Sequence, residues 1–342
     1  MKPMRIIQCG VGGFGGGWLG VVQRNAQFEH AALVDPNAEN MEAARRKVPM
    51  PAGLCFTSLD RALAKAKADA VLVVTPPATH HPLAVQALAA GAHVLVEKPI
   101  AEDMPTALAM VRQAEVHKRV LMVSQNYRNN PAPHLLRTLL ARKTFGRLVH
   151  ADIVFALAAD FRGSFRETME YPLLLDMSIH HTDLMRYITG LEAKSIYVRS
   201  MHTGAPEFKH DAAFKAIIEM EGGVVLSYSG DWTARRLATS WNGDWQIQTR
   251  KGALAWDDSG VTFTTSLPWG KERSRRFLDV PGMAVAGQDY SLTEFGRAIR
   301  EGDQPETSGK DNIRSFAMVQ AALESCRLGT VVQMKDILSA KS

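Results

Sequence analysis

The sequence predicts a parallel, doubly wound α/β domain followed by an α+β domain built on one sheet. Three observations carry this reading. Apolar strands and helices alternate through residues 1–124. A glycine-rich turn, Gly10-Val11-Gly12-Gly13-Phe14-Gly15, closes the first strand. Beyond Gln125, strands follow one another and are flanked by helices. The boundary is placed between Ser124 and Gln125, giving domains 1–124 and 125–342.

Each element has its own signal. Arg5–Gly10 is a short apolar strand ending in glycine, followed by a helical stretch through Trp18–Gln23. Glu29–Asp35 is the second strand, and Asn37–Lys47 a helix with an Asn start and a basic last turn. Leu54–Thr57 reads as a short strand, and Ser58 as the cap of a helix towards Lys67. Ala70–Thr75 is a nearly continuous apolar strand, as expected when both sheet faces are covered. A helix from Thr79 stops at Gly91; His93–Val96, Met104–His117 and Val120–Ser124 complete the domain as strand, helix and strand. In the second domain, Pro131–Arg142, Leu173–Thr189, Ser291–Arg300 and Asn312–Arg327 read as helices. The strands are Leu148–Leu157, Lys194–His202, Ala212–Met220, Val224–Trp232, Trp241–Arg250 and Val261–Thr265, with Gly222-Gly223 as a hairpin turn. Such a sheet leaves one face open, a natural oligomer surface.

Composition narrows the function classes. The chain has 342 residues, 46% hydrophobic and 22% charged, which excludes disorder, collagen and coiled coil. The net charge of +5 is spread over both halves: 13 basic against 10 acidic residues in 1–124, and 27 against 25 in 125–342. The Lys271, Arg273, Arg275 and Arg276 cluster is diluted by Glu272 and Asp279, so no nucleic-acid-binding stripe is expected. Cys9, Cys55 and Cys326 are too few and too scattered for a disulfide framework or a metal site. No apolar stretch reaches membrane-spanning length, and no signal-peptide core is present, so the protein is read as cytoplasmic.

The glycine turn carries the first chemistry. Gly10 permits the tight turn, Gly12 lets the backbone approach a pyrophosphate, and Gly15 allows the helix to pack on the strand, with Gly13 and Phe14 between them. Asp35, 20 residues beyond Gly15, ends the second strand, where a carboxylate accepts both ribose hydroxyls of NAD. It would repel a 2′-phosphate, and Pro36 follows it rather than an arginine, so NAD is expected over NADP. Gly16 and Gly17 have no assigned role. Thr75-Pro76-Pro77 forms a rigid loop at a strand's carboxyl end, where ligands bind in such sheets; His80 is read as a polar residue of that loop rather than a metal ligand. Val96-Glu97-Lys98-Pro99 places a Glu-Lys pair at the next strand end, where desolvation and neighbours can bring a lysine into the range for proton transfer; a solvated ion pair is the bland alternative. Asp176, His180 and Asp183 lie at i, i+4 and i+7, one face of a helix, so a carboxylate can orient the imidazole; on the residues alone a surface ion pair or a satisfied core histidine is the commoner meaning of this spacing. No HExxH or cysteine cluster accompanies them, and no metal site is expected.

Together GxGxxG, TPPATHH, GAHVLVEKP and DMSIHHTD resemble the Gfo/Idh/MocA oxidoreductase family over essentially the whole chain. The resemblance implies an N-terminal Rossmann domain and a C-terminal α+β domain with a large, mainly antiparallel open sheet. It implies NAD(P)-dependent oxidation or reduction of a sugar, polyol, inositol or (keto)glycoside, with Lys98 in the role of catalytic lysine. The family pattern D-x-G-x-H-x-x-D is matched by Asp176, His180 and Asp183, with Ser178 in place of the glycine and Tyr171-Pro172-Leu173 in place of the usual glycine-rich turn. The expected catalytic set is Lys98, Asp176 and His180, with the choice of base between Lys98 and His180 left open. The expected cofactor set is Gly10, Gly12, Gly13, Phe14, Gly15, Asp35, Thr75, Pro76, Pro77, His80, Glu97, Lys98 and Gln125. Beside the catalytic set, Tyr127, Arg128, Arg162, Arg166 and Trp232 are candidates to read the substrate, though such side chains suit packing as well. A homodimer or homotetramer through the C-terminal sheet is expected, with no nucleic-acid or membrane partner. The rival readings are a non-catalytic NAD-sensing regulator, a transferase that recycles bound NAD, and a reductase of a non-sugar carbonyl compound.

Overall fold

Met4–Cys9 forms the first strand, β1, in the computed structural model, which describes residues 2–339. β2 (Phe28–Val34), β3 (Cys55–Phe56), β4 (Ala70–Val73), β5 (His93–Glu97) and β6 (Leu121–Ser124) join it in a parallel sheet of order β3-β2-β1-β4-β5-β6. Every residue of β4 and β6 is buried, as is β5 beyond His93. Such strands have no solvent face to carry polar residues, so they read as unbroken apolar runs. Helices α1 (Gly15–Arg24), α2 (Ala38–Lys47), α3 (Leu59–Lys65), α4 (His80–Ala89) and α5 (Met104–Val116) alternate with the strands. Asn37 caps α2 by accepting from the N–H groups of Glu39 and Asn40, and Asp103 caps α5 through the Thr106 N–H. Ser58, the expected cap of α3, makes no side-chain cap bond, and α1 opens at Gly15 rather than Trp18.

The chain divides into two units. The first reaches Asn129 and takes in Val285–Ile313; the second holds Asn130–Ala284 and the chain from Arg314. In the second, α6 (Pro131–Ala141) precedes β7 (Leu148–Ala156), and α7 (Ser178–Thr189) ends at Gly190, whose φ of 67° closes the helix. β8 (Ala193–Met201), β9 (Ala213–Met220), β10 (Val225–Asp231), β11 (Asp244–Thr249), β12 (Gly252–Asp257), β13 (Gly260–Ser266) and β14 (Glu272–Leu278) follow. Alternation is plain in β9, where Phe214, Ala216, Ile218 and Met220 are buried and Lys215, Ile217 and Glu219 are exposed.

Val285–Ile313 carries α8 (Gly287–Glu301) back to the first unit. Leu292 and Phe295 sit fully buried in a core with Ile6, Trp18 and Phe28, and the Phe28 and Phe295 rings stack at 5.8 Å. Burying such side chains is worth about 1.5–3 kcal/mol each, which holds this segment to the first unit. The long helix α9 (Gly309–Leu328), β15 (Val332–Gln333) and α10 (Met334–Leu338) close the described residues. The second sheet runs β14-β13-β12-β11-β7-β10-β9-β8-β15, antiparallel throughout except for the β7–β10 pair.

Candidate active site

The glycine turn leaves the carboxyl end of β1, and its glycines are demanded by contact. Gly10 has φ of 85°, and a Cβ there would lie 2.1 Å from the Val74 carbonyl oxygen. A Cβ on Gly15 would lie 2.3 Å from the Gly10 carbonyl oxygen, so α1 can approach the strand only without one. Gly12 is pressed by the Asn40 amide, 2.3 Å from where its Cβ would stand, while Gly13 faces open space. Asp35 ends β2 and is buried. One of its carboxylate oxygens accepts from the Val11 N–H at 3.0 Å and the other from the Asn37 N–H at 2.9 Å. The Asn40 amide donates to both oxygens at the longer distances of 3.5 and 3.4 Å, so ribose hydroxyls would take the place of these weak contacts. The turn, the N-terminal end of α1 and this carboxylate fit a dinucleotide.

The next two strands end in tied loops. Thr79 donates to the Thr75 hydroxyl at 2.7 Å and Pro76 is exposed between them. His80 is the first residue of α4 and fully buried. Its ring nitrogens face the Thr75 carbonyl at 2.8 Å and the Pro99 carbonyl at 2.9 Å. Burial pulls its pKa down, and the two carbonyls oppose that. His80 therefore joins the loops after β4 and β5 through both ring nitrogens. Glu97 is buried too. Its carboxylate accepts from the Trp18 indole N–H at 2.8 Å and from the Lys98 backbone N–H at 3.1 Å. Burial pushes its pKa up, against the Trp18 hydrogen bond. Lys98 follows, half-buried, and its peptide bond to Pro99 is cis.

Two expected ligand residues, Gln125 and Arg128, make hydrogen bonds inside the first unit. The Gln125 side chain is fully buried and accepts from Asn312 at 3.3 Å. Arg128 is buried and donates to Asp311 at 3.2 Å and to the Glu306 carbonyl at 3.3 Å. A buried arginine needs such partners to offset its desolvation. Asn129 donates to Ser291 at 2.9 Å. Tyr127 lies half-buried in the same short turn.

In the second unit, Asp176 does not sit in a regular α-helical turn. Leu173–Met177 forms a π turn in which the Ser178 N–H reaches back to the Leu173 carbonyl, and α7 starts only at Ser178. Single π turns of this kind mark functional sites. Gly230 of β10 makes room for it, since a Cβ there would be 2.7 Å from Leu173. Asp176 is partly exposed and accepts from Arg166 Nε at 2.7 Å. His180, four residues on, is buried on α7. Asp183, which spacing put on the same face, is fully buried and accepts from Ser315 at 2.9 Å, with Arg186 donating to the same hydroxyl at 2.8 Å. It belongs to the interior network. His181 is buried with Nε2 at 3.0 Å from the Trp241 carbonyl and Nδ1 at 2.5 Å from the Tyr228 hydroxyl. Facing a carbonyl, Nε2 carries the proton and Nδ1 accepts from Tyr228; burial holds the ring neutral, its pKa pulled down to about 4.

Two substrate-reading candidates have partners of their own within the second unit. Trp232 is 1% exposed, stacked on Phe208 at 6.0 Å and edge-on to Phe161 at 4.9 Å, so it packs the interior. Arg162 is an exposed residue paired to Asp160 at 2.5 Å; Arg166 is the arginine that meets Asp176. Among the described residues no group of three or more His, Cys, Asp and Glu could hold a metal, and no helix is long and apolar enough to cross a membrane.

Residues 4–125 match a family model described as an oxidoreductase family with an NAD-binding Rossmann fold, and residues 134–255 match the Gfo/Idh/MocA C-terminal domain. The chain belongs to the Gfo/Idh/MocA family. It is an NAD-binding oxidoreductase with the two domains of that family. Among its relatives, the inositol 2-dehydrogenase of Pseudarthrobacter chlorophenolicus is 25% identical over 99% of this chain and 98% of its own. The 1,5-anhydro-D-fructose reductase of Ensifer adhaerens is 24% identical over 83% of this chain and 85% of its own. An oxidoreductase from Agrobacterium radiobacter, solved in complex with NAD+, L-tartaric acid and magnesium, superposes with a TM-score of 0.88 at 20% identity, covering 99% of this chain and 100% of that one.

For this Gfo/Idh/MocA member, the first unit gathers Gly10, Gly12, Gly15, Asp35, Thr75 and Lys98 at the carboxyl ends of neighbouring strands, and the second gathers Asp176 with Arg166. Trp18, Asn40 and the Arg166–Asp176 pair escaped the sequence reading. Their partners lie 79, 28 and 10 residues away, and no helical or strand period links them.

Proposed function

We propose that the protein transfers hydride between NAD and a carbinol or carbonyl carbon of a sugar, polyol, inositol or (keto)glycoside. One observation carries the reading. Asp35, the glycine turn, Thr75 and Lys98 leave the carboxyl ends of β2, β1, β4 and β5, adjacent strands of one parallel sheet. In open sheets of this kind a dinucleotide binds at that edge, where the strand order reverses. The substrate class is supported by the named activities of the two relatives.

Gly12, Gly13 and the first turn of α1 would hold the pyrophosphate, and Asp35 the adenosine ribose, which favours NAD over NADP. When bound, NAD supplies the hydride acceptor or donor at its nicotinamide ring. Proton handling falls to the chain's own residues. His180 takes the hydroxyl proton as the alcohol becomes a carbonyl and returns it in the reverse direction. The Lys98 ammonium opposes negative charge developing on the oxygen, and Asp176 orients the reacting group. The open face of the second sheet, where Ile217, Val225 and Phe277 stand exposed, is the surface through which copies of the chain would pair as a dimer or tetramer. Three free cysteines suit a cytoplasmic setting.

The test is a panel of polyols, aldoses, inositols and (keto)glycosides, with NADH formation or consumption followed by absorbance. Turnover of at least one member is expected. Tight NAD binding with no turnover across the panel in either direction would overturn the reading in favour of an NAD-sensing regulator.

A further inference from the structure

Arg166 offers more than an ion pair with Asp176. Its side chain is 28% exposed, and its guanidinium lies against two rings, 4.5 Å from the Phe165 centroid and 5.1 Å from that of Phe161. These faces fix the guanidinium plane and strip part of its hydration. Nε donates to Asp176, and among the described residues neither Nη group has a hydrogen-bond acceptor. An ion pair serving only to hold the loop would be expected to use the side-on, two-point geometry that arginine favours with carboxylates. Here Asp176 takes one N–H and the end-on fork stays open. Neighbouring charges are matched locally, Arg162 with Asp160 at 2.5 Å and Lys209 with Glu167 at 3.6 Å.

We infer that Arg166 reads a carboxylate on the substrate, so that the preferred substrate is a sugar acid rather than its neutral counterpart. This rests on the hydride-transfer reading above. Asp176, one hydrogen bond away, places Arg166 within a substrate's length of the reacting group. The planar fork matches the two oxygens of a carboxylate. A phosphate dianion would bring two further negative charges beside Asp176, and the single charge of a carboxylate is the smaller conflict.

The experiment uses matched pairs, an acid and its neutral twin: D-glucuronate with D-glucuronamide, D-gluconate with D-glucitol, D-galacturonate with D-galactose, and L-tartrate with L-threitol. The kcat/KM values are measured with NAD(H), and equilibrium binding of each probe to the NADH-loaded protein is measured by calorimetry. In at least one pair the acid is expected to bind and react at least 10-fold better than its twin. In Arg166→Gln the acid should lose on the order of 30-fold more than the twin. Arg166→Lys, which keeps the charge but not the fork, should lose an intermediate amount. A purely structural role would lower both members equally. Neutral members preferred in every pair, or an acid preference that persists in Arg166→Gln, would overturn the inference and leave the hydride-transfer reading standing. Failure of every pair and of the neutral panel, with NAD bound, would overturn both.

Discussion

Trp18→Phe removes the one indole N–H that reaches the Glu97 carboxylate, at 2.8 Å in the interior of the first unit. The Ser124 hydroxyl and the Lys98 N–H at 3.1 Å remain beside the carboxylate. A hydrogen bond to a charged group is worth about 1.5–3 kcal/mol, and to a neutral one about 0.5–1.5 kcal/mol. Burial raises the Glu97 pKa in the folded protein. Between the ordinary carboxyl value and that raised value the folded state holds more protons than the unfolded one, so stability falls as pH rises through the window. Trp18→Phe raises the folded value further and widens the window. The cost of the substitution should therefore be larger at about pH 8 than at about pH 5, by about 1–1.5 kcal/mol. The smaller ring also leaves a cavity, but its cost is the same at both pH values and cancels from the difference. The assay is urea unfolding followed by far-ultraviolet circular dichroism, for wild type, Trp18→Phe, Glu97→Gln and the double variant. The excess cost at high pH should vanish in the Glu97→Gln background. A cost that is independent of pH, or greater at low pH, would refute the reasoning and leave Trp18 as packing alone.

Two glycines, Gly10 in the turn and Gly17 in α1, should behave oppositely. Gly10→Ala sets a Cβ against the Val74 carbonyl at a φ of 85°, so it should cost at least about 1–3 kcal/mol and weaken NAD binding, read by thermal unfolding and calorimetry. Gly17→Ala meets nothing within 4 Å inside α1 and should raise the melting temperature, by a gain of about 1 kcal/mol. In the second unit, Tyr228→Phe leaves the buried Nδ1 of His181 without its donor and should cost about 1–3 kcal/mol in urea unfolding.

Sequence alone carried the first sheet furthest, because β4, β5 and β6 are buried on both sides and have to be apolar. Gly10 and Gly15 were legible for a related reason: only glycine fits where backbone meets backbone. The second sheet was legible where one face is covered, as in β9. It was not legible in β14, an edge strand whose side chains are almost all exposed, so ERSRRFL read as a basic cluster. β12 was missed because Ala253 and Ala255 blur the alternation that Leu254 and Trp256 make. The return of Val285–Ile313 to the first unit leaves no local mark; Leu292 and Phe295 are an ordinary helical stripe until their partners, Trp18 and Phe28, are known. The site was half legible. Lys98, Asp176 and His180 stood out through motif resemblance, whereas the π turn under Asp176 is a shift in hydrogen bonding that composition does not record. Arg166 was one of several arginines until its carboxylate partner was placed beside it.

The central claim is that this chain moves hydride with His180 handling the proton and Lys98 opposing charge on the reacting oxygen. The most direct measurement is single-turnover hydride transfer by Lys98→Met and His180→Ala on whichever substrate the wild type turns over, with NAD affinity measured in parallel. The account predicts that each variant binds NAD within a few-fold of wild type and transfers hydride about 100-fold or more slowly. Hydride transfer at the wild-type rate in both variants would contradict it.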